Sequence, residues 1–180
     1  MAYYKFKEDL IEGEDGEITV IEHLKKLGGT LLHQNKDNRY DALIERNGEK
    51  IKYEIKTDVY CEPHSDRGNL FVEVECRGKK SGIIVTEAEW FVTYFKYLNE
   101  IWYIKTKDLL KLIEENSETL YKTKNSGDAN SGTSGWLIPR HNFLNNFKVY
   151  DSKTLQRKTI VKKGEKGKID YQRLMKLLNK

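Results

Sequence analysis

The sequence predicts an α/β fold, a central mixed β-sheet that contains an antiparallel hairpin and is flanked by helices. Three observations predict it. Residues 40–57, YDALIERNGEKIKYEIKT, alternate apolar and polar side chains on both sides of Asn47-Gly48, a pair that tolerates the positive φ angles of a type I′ hairpin turn. Ahead of them, GEITVIEHLKKLGG spaces apolar residues at helical intervals and stops at two glycines. Beyond them, strand-like and helix-like segments alternate, the rhythm of a sheet covered by helices.

Taken in order, the first helix is expected from about Asp15 to Leu27, with Ile18, Ile21, Leu24 and, less regularly, Val20 and Leu27 on its apolar face. Glu17 falls in its first turn, where a carboxylate suits the helix dipole, and Glu14 takes that place if the helix begins earlier. Thr30–Gln34 reads as a short strand and 35–39 as a polar loop.

In the hairpin, Asn47 and Gly48 as loop residues set Arg46 opposite Glu49, Ile44 opposite Ile51, Ala42 opposite Tyr53 and Asp41 opposite Glu54. Side chains alternate along a strand. Tyr40, Ala42, Ile44, Ile51, Tyr53 and Ile55 therefore share an apolar face, while Asp41, Leu43, Glu45, Lys50, Lys52, Glu54 and Lys56 share the other. Glu45 facing Lys50 is favourable. Asp41 facing Glu54 brings two carboxylates to a Cβ separation of roughly 4.5–5.5 Å, which is destabilising by itself. A shared divalent cation would relieve it, Mg²⁺ (or Mn²⁺) being the cofactor expected for two hard oxygen donors completed by water. A solvated face neutralised by Lys52 and Lys56 is the plain alternative.

Residues 57–69 have loop chemistry, and Asp58, His64 and Arg67 are candidates to reach over a substrate. Leu70–Cys76 alternates again and is expected as a third strand of the hairpin's sheet. On it, Glu73 or Glu75 approaches Lys56 or the metal, or else forms an acidic edge. Arg77-Gly78-Lys79-Lys80-Ser81-Gly82 reads as a flexible basic loop suited to phosphate contacts. Thr86 with Glu89 resembles a capping box opening a helix rich in Trp90, Phe91, Val92, Tyr94, Phe95 and Leu98. Ile101–Lys105 is a strand, and Thr106 caps a helix with Leu109, Leu110, Leu112 and Ile113 inward.

Residues 117–135 are small, polar and glycine-rich and read as a mobile loop, and 136–147 as a strand and turn. The tail around 161–168 is basic, and a short helix is expected over 169–178. The domains expected are thus a core at 1–116, a flexible loop at 117–135 and a C-terminal extension at 136–180.

Asp41, followed after twelve residues by Glu54-Ile55-Lys56, resembles the PD-(D/E)XK nuclease superfamily, the restriction-endonuclease-like fold that includes archaeal Holliday junction resolvases and many phage nucleases. The resemblance covers roughly residues 12 to 105, and Glu17 precedes Leu24, Gly28 and Asp41 at a resolvase-like spacing. Tyr40 stands where the family often has proline. The resemblance implies a Mg²⁺-dependent endonuclease acting on DNA, of a phage or mobile-element kind. Asp41, Glu54 and the carbonyl of Ile55 would hold metal, Lys56 would serve the reacting phosphate, and Glu17 would anchor a water or second ion. Arg39, Arg77, Lys79 and Lys80 would contact the phosphate backbone. The alternatives are a resolvase of branched DNA, working as a homodimer, and a non-cleaving nucleic-acid-binding module on the same fold.

Composition agrees with a nucleic-acid partner. The net charge of +4 is unevenly spread: residues 151–180 hold ten Lys/Arg against three Asp/Glu, which leaves the first 150 at −3. Charged residues are 33% of the chain and hydrophobic ones 38%, as in soluble proteins. No apolar run approaches the roughly 18 residues of a membrane span, and MAYYKFKEDL lacks a signal peptide's apolar core. A cytoplasmic protein without a membrane partner is expected. Cys61 and Cys76 read as idle thiols, and His23, His33, His64 and His141 show no zinc-site spacing.

Overall fold

The computed structural model describes residues 2–34, 39–64, 68–126 and 132–158. A helix, α1 (Ala2–Lys26), precedes β1 (Thr30–Gln34), β2 (Ala42–Arg46), β3 (Glu49–Asp58), β4 (Asn69–Cys76) and β5 (Lys79–Lys80). Then follow β6 (Trp90–Phe95), β7 (Glu100–Lys105), α2 (Thr106–Glu115), β8 (Tyr121–Ser126), β9 (Thr133–Pro139) and β10 (Lys148–Asp151). Six strands form a mixed sheet in the order β1-β2-β3-β6-β7-β10, in which the β3–β6 pair alone is parallel. Four others form an antiparallel sheet in the order β5-β4-β9-β8. The fold class is therefore α/β with a central mixed sheet flanked by helices, as the sequence predicts.

Helix α1 is longer than its periodicity suggests: it begins at Ala2 and runs through Gly13, a residue that costs about 1 kcal/mol in a helix relative to alanine. Val20, Ile21 and Leu24 are buried, whereas Ile18, expected inward, is 54% exposed. The helix ends as expected: Gly28 has φ 90° and its N–H donates to the Lys25 carbonyl at 2.9 Å. Its buried side chains pack with Ala42, Ile44, Tyr53, Ile55, Val92 and Tyr103 in one core on one side of the six-stranded sheet. His23 is part of that core and a structural residue, its Nδ1 2.8 Å from the Tyr103 hydroxyl.

Four expectations need correction. Residues 90–95 are a strand and not a helix: the run WFVTYF is aromatic and β-branched with five of six residues buried, and a fully buried strand has no alternation to tell it from a helix. Leu70–Cys76 is a strand but lies in the second sheet, because β6 occupies the free edge of β3 from Tyr53↔Trp90 to Asp58↔Phe95 and β4 pairs instead with β9. The basic loop is a tight turn with Arg77 at φ 51° and Gly78 at φ 73°, leading into β5. Within 117–135, where a mobile loop is expected, Tyr121–Ser126 and the start of β9 pair as a hairpin.

Smaller differences follow the same pattern. Thr106 is inside α2, whose cap residue Lys105 makes no side-chain cap bond, and Leu110 is 38% exposed while Leu109, Leu112 and Ile113 are buried. The strand and turn expected over 136–147 are present as β9 and a 3-10 segment at Arg140–Asn146. Beyond it, β10 completes the six-stranded sheet by pairing with β7. Cys61 and Cys76 are not joined in a disulfide. The expected loop residues 35–38, together with Arg67, the basic tail and the helix over 169–178, lie outside the described residues. No described helix is long and apolar enough to cross a membrane.

Arg140 lies fully buried between the sheets, its guanidinium 4.3 Å from the Phe95 ring centroid and 5.2 Å from that of Trp102. Its Nη1 donates to the Asn69 carbonyl at 3.4 Å. A core that joins Leu70, Val72 and Ile138 of the second sheet to Phe91, Phe95 and Trp102 of the first surrounds it.

At Gly16 the helix meets β3 so closely that a Cβ would stand 1.8 Å from Thr57 Oγ1 and 2.8 Å from Thr57 Cβ. Gly16→Ala is therefore expected to destabilise by about 1–3 kcal/mol in chemical denaturation, with Thr57→Ala recovering part of the loss. Gly13→Ala, where a Cβ meets nothing within 4 Å, is expected to stabilise by about 1 kcal/mol. Equal effects at the two glycines would show that the close approach costs nothing.

Candidate active site

The β2–β3 hairpin turns at Asn47 (φ 53°) and Gly48 (φ 79°), and its register is the one the sequence predicts: Ala42↔Tyr53, Leu43↔Lys52, Ile44↔Ile51, Glu45↔Lys50 and Arg46↔Glu49. The ladder continues one residue further, where the Asp41 N–H donates to the Tyr53 carbonyl at 2.8 Å. Ala42, Ile44, Tyr53 and Ile55 face α1. Alternation leaves Asp41, Glu54 and Lys56 for the opposite face.

There Glu54 is 5% exposed, and burial of a carboxylate requires partners. It has two. Lys56 Nζ donates to Oε1 at 2.7 Å, and Thr86 Oγ1 lies 2.9 Å from Oε2 and 2.9 Å from the Arg39 carbonyl. Asp41 accepts the Ile55 N–H on Oδ2 at 2.6 Å, which ties its carboxylate to the strand that carries Glu54. Burial pushes the Asp41 carboxyl up to about 6 against the pull of Lys56, and the charges of Glu54 and Glu17 add to the rise. Burial also works to lower the Lys56 ammonium, but Glu54, Asp41 and Glu73 more than offset it and hold it above its ordinary value.

Glu17 enters from α1, half-buried, and its Oε2 accepts a bond from Gln34 Nε2 of β1 at 3.1 Å. It lies in the middle of the helix, so the dipole explanation for it does not hold. Burial raises its carboxyl, opposed by Gln34 and Lys56 and assisted by Glu14 and Glu54. Glu14 itself is exposed. The site thus gathers Glu17, Asp41, Glu54 and Lys56 from one helix and one hairpin.

Other residues singled out in the sequence are placed elsewhere. Asp58 ends β3, where its Oδ1 accepts the N–H groups of Tyr60 and Cys61 at 2.9 and 2.8 Å, a turn-forming role. His64 is exposed. Lys52 pairs with Glu87 at 2.7 Å, not with an acidic edge. Glu73 accepts a short bond from Ser81 Oγ and acts on Lys56 from the second sheet, whereas Glu75 is exposed beside Lys80. Arg39 is exposed and one residue from the hairpin, and Arg77, Lys79 and Lys80 are exposed at the β4–β5 turn.

Thr86 and Gln34 are site residues that sequence reasoning missed. The signal at Thr86 was present but misassigned: its hydroxyl accepts the Ala88 N–H at 3.2 Å, a local turn, and Glu89 reaches instead to the Lys52 N–H at 2.6 Å.

Among the described residues no three or more His, Cys, Asp or Glu side chains converge as a metal cage. What the hairpin offers is two carboxylates, both hard oxygen donors. That set fits Mg²⁺, which dehydrates reluctantly and is held by one or two carboxylates with waters in its other positions.

The raised Asp41 carboxyl gives a pH-dependent stability. The unfolded chain releases that proton near its ordinary value of 3.8 and the folded chain near about 6, so stability falls as pH rises through that interval. Asp41→Asn removes the ionisation and is expected to stabilise the metal-free protein by about 1–2 kcal/mol at pH 8, with little gain at pH 4. Denaturation midpoints at the two pH values check it, and an equal change at both would show that the carboxylate is not strained.

No protein-family model matches the chain, and no curated protein is a significant match. Among solved structures it is similar to a bacterial homing endonuclease, I-Ssp6803I, with 20% sequence identity and a TM-score of 0.41 over 55% of this chain and 66% of that one.

Proposed function

We propose that this chain is a Mg²⁺-dependent nuclease that hydrolyses phosphodiester bonds in DNA, acting as an endonuclease of the PD-(D/E)XK kind. The observation that carries the reading is the grouping of Asp41, Glu54 and Lys56 on one face of the β2–β3 hairpin, with the Lys56 ammonium 2.7 Å from a Glu54 oxygen. A carboxylate whose burial opposes its ionisation, beside a second carboxylate and a cation, is the environment found where charge is handled chemically.

In this reading Asp41, Glu54 and the Ile55 carbonyl would hold Mg²⁺ or Mn²⁺, which when bound supplies an activated water and a counter-charge for the scissile phosphate. The chain's own groups do the rest. The Ile55 N–H fixes the Asp41 carboxylate, and the Thr86 hydroxyl orients Glu54 from the side away from Lys56. Lys56 presents its ammonium to the phosphate oxygen on which negative charge develops, a fixed electrostatic contribution rather than a proton transfer. Glu17, held by Gln34, stands ready to accept a hydrogen bond from the attacking water. Arg39, Arg77, Lys79 and Lys80 provide exposed cations for backbone phosphates, which predicts binding that weakens with salt.

Cleavage of supercoiled plasmid in Mg²⁺ tests the proposal. Asp41→Ala and Lys56→Ala are each expected to lower the cleavage rate about 10²-fold or more while DNA binding in EDTA is retained. Equal cleavage by wild type and variants would remove these residues from the chemistry. Binding without cleavage by the wild type under any divalent metal would leave a nucleic-acid-binding module.

A further inference from the structure

We propose that an aromatic pocket on the α1 side of the six-stranded sheet takes one unstacked nucleotide from a single-stranded stretch of the substrate. The proposal rests on nucleic acid being the substrate of the site described above. The pocket is an open depression lined by Leu24 of α1, Tyr53 of β3, Trp90 of β6, Tyr103 of β7 and Tyr150 of β10, with a volume of about 130 Å³. That is well below the roughly 300–1,000 Å³ of pockets for drug-sized ligands, and suits one planar ring.

Its lip is cationic. Arg46 and Lys148 line it, with Lys148 Nζ 5.0 Å and Lys105 Nζ 5.9 Å from the Trp90 ring centroid. Among the described residues none of these three cations is paired with a carboxylate, whereas Lys52, Lys56, Lys96 and Lys158 each are. Glu89 acts on Tyr53 together with Arg46, but its Oε2 is engaged by the Lys52 N–H. An apolar ring-lined interior with unpaired cations at the entrance complements a flat base that carries an anionic phosphate, stacking within and neutralised at the rim.

The pocket and the carboxylate cluster lie on opposite faces of the six-stranded sheet. Tyr53 and Glu54 are consecutive on β3 and point to opposite faces, so the pocket and the carboxylate cluster stand back to back across one strand. A base inside a duplex cannot enter, because it must first leave its stack. Trp90 is half-buried, with the Lys105 and Lys148 ammoniums over its ring, and a base would stack on it by displacing one of them.

The test uses the full chain in EDTA, where no cleavage occurs, and a single-stranded oligonucleotide carrying one 5-iodo-deoxyuridine for photocrosslinking. Adducts are expected on Trp90, Tyr53 or Tyr150. The exposed variants Arg46→Ala and Lys148→Ala are expected to weaken affinity for the single strand about tenfold without changing affinity for blunt duplex. Adducts confined to other residues, or equal losses for single strand and duplex, would overturn the pocket. Competition by free deoxyuridine monophosphate as strong as by the oligonucleotide would overturn it in favour of a mononucleotide site. Displacement by a peptide of residues 159–180 alone would assign it to the chain's own C-terminal segment. Failure to bind DNA of any form would sink the nuclease reading as well, whereas binding without pocket adducts sinks only this inference.

Discussion

The register of β2 against β3 is the constraint on which the site depends. Asn47 and Gly48, both at positive φ, fix a two-residue turn, and from that turn every cross-strand pair is determined. Because side chains alternate with period two, a slip of one residue would bury Asp41, Glu54 and Lys56 under α1 and expel Tyr53 and Ile55. The Asp41 N–H bond to the Tyr53 carbonyl extends the ladder just far enough to hold the first carboxylate in register with the second. The apolar face and the charged face are therefore consequences of one turn.

What the hairpin places, the rest of the fold desolvates. Helix α1 approaches β3 through Gly16 and brings Glu17 alongside. The segment leading into β6 brings Thr86 to Glu54, and β4 of the second sheet adds the charge of Glu73 to the surroundings of Lys56. Burying an ion pair such as Glu54–Lys56 is weak evidence for stability, since desolvation can cancel the attraction. Burial disfavours the ionised form of Asp41, and the charges of Glu54 and Glu17 add to that effect.

The parts of this arrangement that are local in sequence were legible there. Hairpin register, the partition of its faces, the glycine stop after α1, β7 and α2 all follow from patterns within a few residues. What was not legible depends on distant pairing. Nothing in LFVEVEC says that its partner is Thr133–Pro139 and not the hairpin, because the choice is made by β6 having taken the edge of β3. Nothing in WFVTYF separates a strand buried on both faces from a buried helix. Thr86 reads as a cap in sequence because its contact to Glu54 spans 32 positions. The first half of α1 was not legible through Gly13, and the close approach of Gly16 to Thr57 joins residues far apart in sequence.

The most direct test of the central claim is a crystal of the protein soaked in Mn²⁺ and examined by anomalous diffraction. The expected result is a peak beside the carboxylates of Asp41 and Glu54, the groups that would hold the ion. Well-diffracting crystals that show Mn²⁺ elsewhere, or nowhere, while these two carboxylates keep only their Ile55, Lys56 and Thr86 partners would contradict it.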